Sequence, residues 1–208
     1  MTEKTGTFEL FGIAFRLWWR ELLPLTLLNI IWFAFQVPII TAPIATAVVY
    51  VVARRVVDDE FIGLRDALHA IRRVAVPALL WGALNLVVAI IVIGNFWIYR
   101  DEAGAVWALA RVVWGGVGLG WFIVNLFYWP FWLAAEKPRL WTTMRNGAVF
   151  VVRRPTVGLL SVAIFVVSAV LTLPFVAAAM VFAALFGLVA VDSDLKAVRG
   201  KGEGRIEP

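Results

Sequence analysis

The sequence predicts an all-α fold, a polytopic transmembrane helical bundle with amphipathic helices on its cytoplasmic side. Three observations predict it. Of 208 residues, 62% are hydrophobic and 16% charged, with a mean hydropathy of +0.90, whereas soluble domains run near 45–50% apolar and about 25% charged. A soluble chain of this size has too little polar surface to hide so much apolar area from water, and lipid removes the need. Charged residues are absent over four long stretches: between Glu21 and Arg54, from Val74 to Tyr99, from Val112 to Ala135, and from Pro155 to Val191. The cations between these stretches follow one alternating rule, set out below.

The first residues, Met1 to Glu9, are polar and mixed in charge. The first apolar run ends at Pro38-Ile39-Ile40-Thr41-Ala42-Pro43 rather than at a small-residue cleavage site, so it is expected to be retained as a helix. A membrane span takes roughly 20 residues. The second and third charge-free runs each fit one span; the first and fourth are too long for one. Proline removes a backbone donor and disfavours helix in the residue before it, so Pro38 and Pro43 divide the first run and Pro174 the fourth. The expected helices are therefore 19–37, 42–56, 76–98, 106–133, 156–172 and 175–191. Six spans result, with five spans or re-entrant halves open because the shorter segments fall below full length.

With the N terminus inside, the inner segments carry Lys4, Arg16 and Arg20, then Arg54, Arg55, Arg65, Arg72 and Arg73. They also carry Lys137, Arg139, Arg145, Arg153 and Arg154, then Lys196, Arg199, Lys201 and Arg205. Of the 19 basic residues, Arg100 and Arg111 alone fall outside. Cations collect on the cytoplasmic side of membrane proteins, so both termini are expected there and the number of passes is expected to be even. The net charge of +5 is thereby read as topology rather than as a nucleic-acid surface.

Between the spans lie amphipathic stretches. Phe8, Phe11, Phe15, Trp18 and Leu22 are spaced as one helix face, as are Phe61, Leu64, Leu68, Ile71 and Ala75; Trp141, Met144, Ala148 and Val151 follow more loosely. Each leads into a proline at the start of a span: Pro24, Pro77, Pro155. The pattern suggests a threefold repeat of amphipathic helix plus membrane hairpin, over 7–57, 58–135 and 136–191, within a single membrane domain 1–191. The charged, glycine-containing tail 192–208 is expected to be disordered.

Candidate sites are few. Pro38, Thr41, Pro43 and Thr46 mark a break whose freed backbone groups need partners. The break is either a ligand or ion site on a discontinuous helix or a tight turn whose hydroxyls cap the next helix. Asn29, Gln36, Asn85, Asn95 and Asn125 are costly facing lipid; they either line a polar pathway or bond helix to helix. Arg111 lies inside the fourth expected helix. It is a functional candidate or an interfacial arginine snorkelling between Trp107 and Trp114, with Asp101 and Glu102 as partners. Gly116 and Gly120 form a small-xxx-small pair suited to helix packing, within the chain or between copies. Asp58-Asp59-Glu60 are expected to cap the second amphipathic helix, and His69, the sole histidine, to be solvated. Arg65, Arg72, Arg73, Arg145, Arg153 and Arg154 are expected to bind anionic headgroups or a partner. Trp18, Trp19, Trp97, Trp107, Trp129, Trp132 and Trp141 are expected to form an interfacial belt. No cysteine is present, which excludes disulfides and thiolate chemistry. No nucleophile–base pair or carboxylate pair falls at membrane depth, so no catalytic, cofactor or metal site is expected.

The segment Asn29-Ile30-Ile31-Trp32-Phe33-Ala34-Phe35-Gln36-Val37-Pro38-Ile39-Ile40-Thr41-Ala42-Pro43-Ile44-Ala45-Thr46-Ala47 resembles the YesL-like bacterial integral membrane proteins. In that family an Asn-led apolar helix reaches a Pro-Ile-x-Thr-x-x-Pro-Ala-Thr-Ala type turn; here Ile44 intervenes between Pro43 and Ala45. The basic stretch Phe61–Arg73, the triplet Asn146-Gly147-Ala148 and the total length are also similar. The resemblance implies a multi-pass protein of the bacterial cell membrane. Its activity is not established in the family, but the resemblance implies an accessory role in carbohydrate uptake, beside a membrane transporter complex. The expected function is thus a non-catalytic accessory or assembly factor, the alternative a small transporter or channel, self-associated or not, with its pathway near Asn29, Gln36 and Thr41.

Overall fold

A computed structural model describes residues 6–36, 38–59, 64–171 and 179–203. These form the helices α1 (Thr7–Arg20), α2 (Leu22–Ala34), α3 (Ala42–Val57), α4 (Leu64–Ile98), α5 (Ala105–Leu126), α6 (Tyr128–Ala134), α7 (Leu140–Arg153), α8 (Pro155–Leu171) and α9 (Ala179–Glu203). Among the described residues there is no strand. Two stretches among the described residues are long and apolar enough to cross a membrane, His69–Ile98 in α4 and Ala105–Ala134 in α5 and α6. A third follows if α7 and α8, bent by 103° at their junction, are one broken span.

The expected apolar segments coincide with α2, α3, the later part of α4, α5 with α6, α8, and the first half of α9. Their ends follow local chemistry. Pro24 falls in the first turn of α2, Pro43 in that of α3, and Pro155 opens α8, positions where a missing N–H costs nothing. Pro77 behaves otherwise: it lies inside α4, which runs unbroken from the amphipathic stretch into the apolar one. Pro130 explains the break between α5 and α6. It has no N–H to give Leu126 four residues earlier, and the freed Leu126 carbonyl accepts a hydrogen bond from Tyr50 Oη at 3.1 Å instead. The expected Pro174 break lies outside the described residues.

The core forms around α9. Val181, Ala183, Ala184, Leu185, Phe186, Leu188, Val189, Ala190 and Val191 are all buried, because α1, α2, α3, α5, α6 and α8 surround them. A helix apolar on all sides belongs in such a place. α3 lies antiparallel along α4, with Ala47, Tyr50, Val74 and Ala78 in one cluster. Between the two helices, the Pro43 ring occupies the space a side chain at Gly82 would need.

Several expectations are corrected. The tail is helical through Glu203, since Asp192 and Asp194 are held by arginines of other elements; residues 204–208 lie outside the described set. The buried line of α1 is Leu10 and Ala14 rather than the aromatic stripe, and Phe8 is 87% exposed. Asp58 and Asp59 serve the end of α3, and the approach to the next helix, residues 60–63, lies outside the described residues. Asp58 is the α3 C-cap and pairs with Arg54; Asp59 takes φ 57° and pairs with Arg20. Glu60 and Phe61 lie outside the described residues. Trp19, Trp97 and Trp141 are exposed as a belt requires, but Trp129 and Trp132 are core residues.

Candidate functional site

One end of the bundle gathers the cations. Arg54, at the end of α3, donates from Nε to Asp58 at 2.8 Å and from Nη1 to Asp192 of α9 at 2.5 Å. Arg20 pairs with Glu21 at 3.2 Å and Asp59 at 2.6 Å. At the α7–α8 junction the buried Arg154 places Nε 3.0 Å from Asp194, off the hydrogen-bonding direction, and its Nη2 has no acceptor. Arg154 is thus a structural cation, not the headgroup ligand the sequence suggested. Arg73 lies over the Trp132 ring at 5.9 Å. Arg72, Arg145 and Arg153 are exposed and have no carboxylate partner among the described residues. Arg65 belongs to α4, its side chain outside the described set. His69 is exposed, as expected.

The α2–α3 turn consumes its own polar groups. Thr41 Oγ1 lies 2.7 Å from the Phe35 carbonyl and 2.8 Å from that of Pro38. Its hydroxyl locks the turn from behind and makes no cap to α3. Thr46 Oγ1 accepts from Trp32 Nε1 at 3.1 Å, and Gln36 Nε2 donates to the Trp32 carbonyl at 3.4 Å. Beside the turn is a cleft of about 230 Å³, walled by Leu28, Ile31, Trp32, Phe35, Ile44, Val48 and Ile71, with Thr41 at its edge. Its walls suit an apolar guest rather than an ion. Asn29 is separate: it is fully buried, and neither amide atom has a partner.

Arg111 closes the 99–104 loop. Its Nη1 donates to the carbonyls of Tyr99 at 2.7 Å and Glu102 at 3.1 Å. The expected carboxylate partners are otherwise placed, Asp101 pairing with Arg100. Tyr99 stacks on Trp107 at 4.8 Å, and Arg100 covers Trp97 at 4.0 Å. The glycine seam is also displaced. Gly115 meets Phe96 and Gly118 meets Val92, whereas Gly116 and Gly120 face away with nothing within 4 Å.

The arrangement that sequence reading missed is a closed ring joining α4 to α5. Trp81 Nε1 donates to Asn125 Oδ1 (2.7 Å), Asn125 Nδ2 to the Trp121 carbonyl (2.8 Å), Trp121 Nε1 to Asn85 Oδ1 (2.8 Å), and Asn85 Nδ2 to the Trp81 carbonyl (2.9 Å). The signal was present as Trp-x-x-x-Asn in both segments: an antiparallel pair sharing that spacing satisfies itself reciprocally. An interhelical hydrogen bond in a membrane is worth ~0.6 kcal/mol on average. In a double-mutant cycle, Trp81→Phe and Asn125→Ala are expected to show a coupling of about that size in detergent unfolding. Zero coupling would show the ring to be incidental.

No protein-family model, no curated protein and no solved structure matches the chain.

Proposed function

We propose that the chain is a non-catalytic accessory or assembly factor of the bacterial cell membrane, with its basic end and both termini in the cytoplasm. The observation that carries this is the division of labour among the cations. Arg20, Arg54 and Arg154 are spent on holding helices together, while Arg72, Arg145 and Arg153 stand exposed at the same end. Exposed cations beside apolar helices bind anionic headgroups or the acidic face of a partner. An even number of passes, six full crossings or two flanked by re-entrant hairpins, keeps both termini on that side. α1 with α2–α3, the first turns of α4 with the α4–α5 hairpin, and α7 with α8–α9 repeat one plan, which supports the threefold unit. The YesL-like resemblance of residues 29–47 adds carbohydrate uptake as the setting and a transporter complex as the partner. Arg72→Glu with Arg153→Glu is expected to abolish stoichiometric co-purification of that partner from solubilised membranes and to leave thermal stability unchanged. Undiminished co-purification would contradict the proposal.

Asn29 favours a second reading, a small transporter with its pathway beside α2. A buried amide without partners costs about 1–3 kcal/mol, a cost that a polar solute passing beside α2 would offset. Asn29→Leu is expected to raise the unfolding temperature and, on this reading, to abolish solute flux in liposomes. A stabilised variant in a protein that moves nothing would leave the accessory role alone.

A further inference from the structure

Resting on that membrane reading, we propose that the chain is a wedge that bends the bilayer, or gathers where it is bent, convex on the basic side. Its broad helical base fills the leaflet at the basic end and, among the described residues, one two-helix arm alone reaches the other leaflet.

The depths follow from helix lengths and registers. From Arg73 to Ile98, α4 climbs ~37 Å at 1.5 Å per residue, enough for a hydrocarbon core of about 30 Å. From Arg54, which pairs with Asp192 of α9, back to Thr41, α3 climbs only ~20 Å. Two contacts show how far up the arm α3 reaches. Pro43 meets α4 at Gly82, and Tyr50 reaches α5 at Leu126, near the Trp–Asn ring and well short of the 99–104 loop. α8 does not climb the arm either. Its Gly158 lies against Ile123, and its Phe165 ring packs on Phe122 at 5.1 Å, so it crosses α5 at one level.

Beyond the ring, α4 and α5 pack on each other, Phe96 on Gly115 and Val92 on Gly118. Ile90, Ile93, Trp97, Leu109 and Val112 are otherwise bare. The two tips differ as the depths require. The 99–104 loop carries Arg100, Asp101 and Glu102, fit for water; residues 36–41 carry no charge and expose Ile39 and Ile40, fit for the lipid midplane. At the base, α1 presents Phe8, Phe15 and Trp19 outward beside Arg16, an amphipathic surface whose insertion is curvature-sensitive. Among the described residues, two helices in one leaflet against the rest of the bundle in the other give unequal areas, and a bilayer relieves unequal leaflet areas by curving.

The chain has no cysteine, so single cysteines at exposed positions report directly. Full-length Thr142→Cys, Ala103→Cys and Ile40→Cys proteins are reconstituted into sonicated small and extruded large phosphatidylglycerol-containing vesicles, then treated with an impermeant maleimide before and after detergent. In small vesicles Thr142→Cys is expected to label in severalfold excess over Ala103→Cys, base outward on the convex face; in large vesicles the two are expected to label nearly equally. Ile40→Cys is expected to stay unlabelled until detergent is added. If Ile40→Cys labels in step with Ala103→Cys, the α2–α3 hairpin crosses and the wedge is overturned, while the membrane reading stands. Equal labelling of Thr142→Cys and Ala103→Cys at both vesicle sizes overturns the curvature preference. Complete labelling of both in sealed vesicles overturns the wedge by removing the membrane crossing itself.

Discussion

Gly82→Leu is expected to unseat α3 from α4 and to be the most damaging single substitution in the membrane-facing part of the protein. Even the Cβ of an alanine at this position would run into the Pro43 ring, which is rigid and fixed in the first turn of α3. Overpacking a tight contact costs about 1–3 kcal/mol, and here neither side yields cheaply. Gly82→Ala is therefore expected to lower the unfolding temperature in detergent and Gly82→Leu to prevent recovery of folded protein. Gly116→Ala, on the open face of α5, is the matched control and is expected to change little. Equal tolerance of alanine at both sites would contradict the α3–α4 register.

Asp194→Ala is expected to cost ~3 kcal/mol, the lower end for removing one partner of a buried ion pair. Arg154 is 9% exposed and Asp194 24%, so the lost carboxylate leaves an enclosed guanidinium at the α7–α8 junction. Arg154→Met combined with Asp194→Leu is expected to recover most of the loss, since replacing a buried pair by apolar groups is often neutral. Chemical unfolding in mild detergent measures both. A double variant as weak as the single one would show that Arg154 acts through contacts other than Asp194.

The apolar helices were legible because lipid imposes one rule along the whole sequence: stretches without charge, punctuated by arginine. What failed to read through depended on a partner from elsewhere in the chain. The composition of 192–203 reads as unstructured, yet Arg54 and Arg154 from two other elements hold its first turn. The aromatic stripe of α1 predicts a helix correctly but not its buried side, because Phe11, Phe15 and Trp18 close around the edge of Phe182 while Leu10 and Ala14 face the core. A small-xxx-small spacing says that a face is smooth, not which face is used; α5 turns Gly115 and Gly118 toward α4. Asn85 and Asn125, read singly, are two costly amides; read with the tryptophans four residues before them, they are one ring. Asn29 was legible as an anomaly, and it remains one in three dimensions.

Labelling of intact cells with an impermeant maleimide tests the central claim most directly. With the chain's cysteine-free background, Ala103→Cys is expected to react from outside, and His69→Cys, at the base of α4, to react only after the membrane is opened. Reaction at His69→Cys in unbroken cells would place the cations on the wrong side and contradict the account at its root.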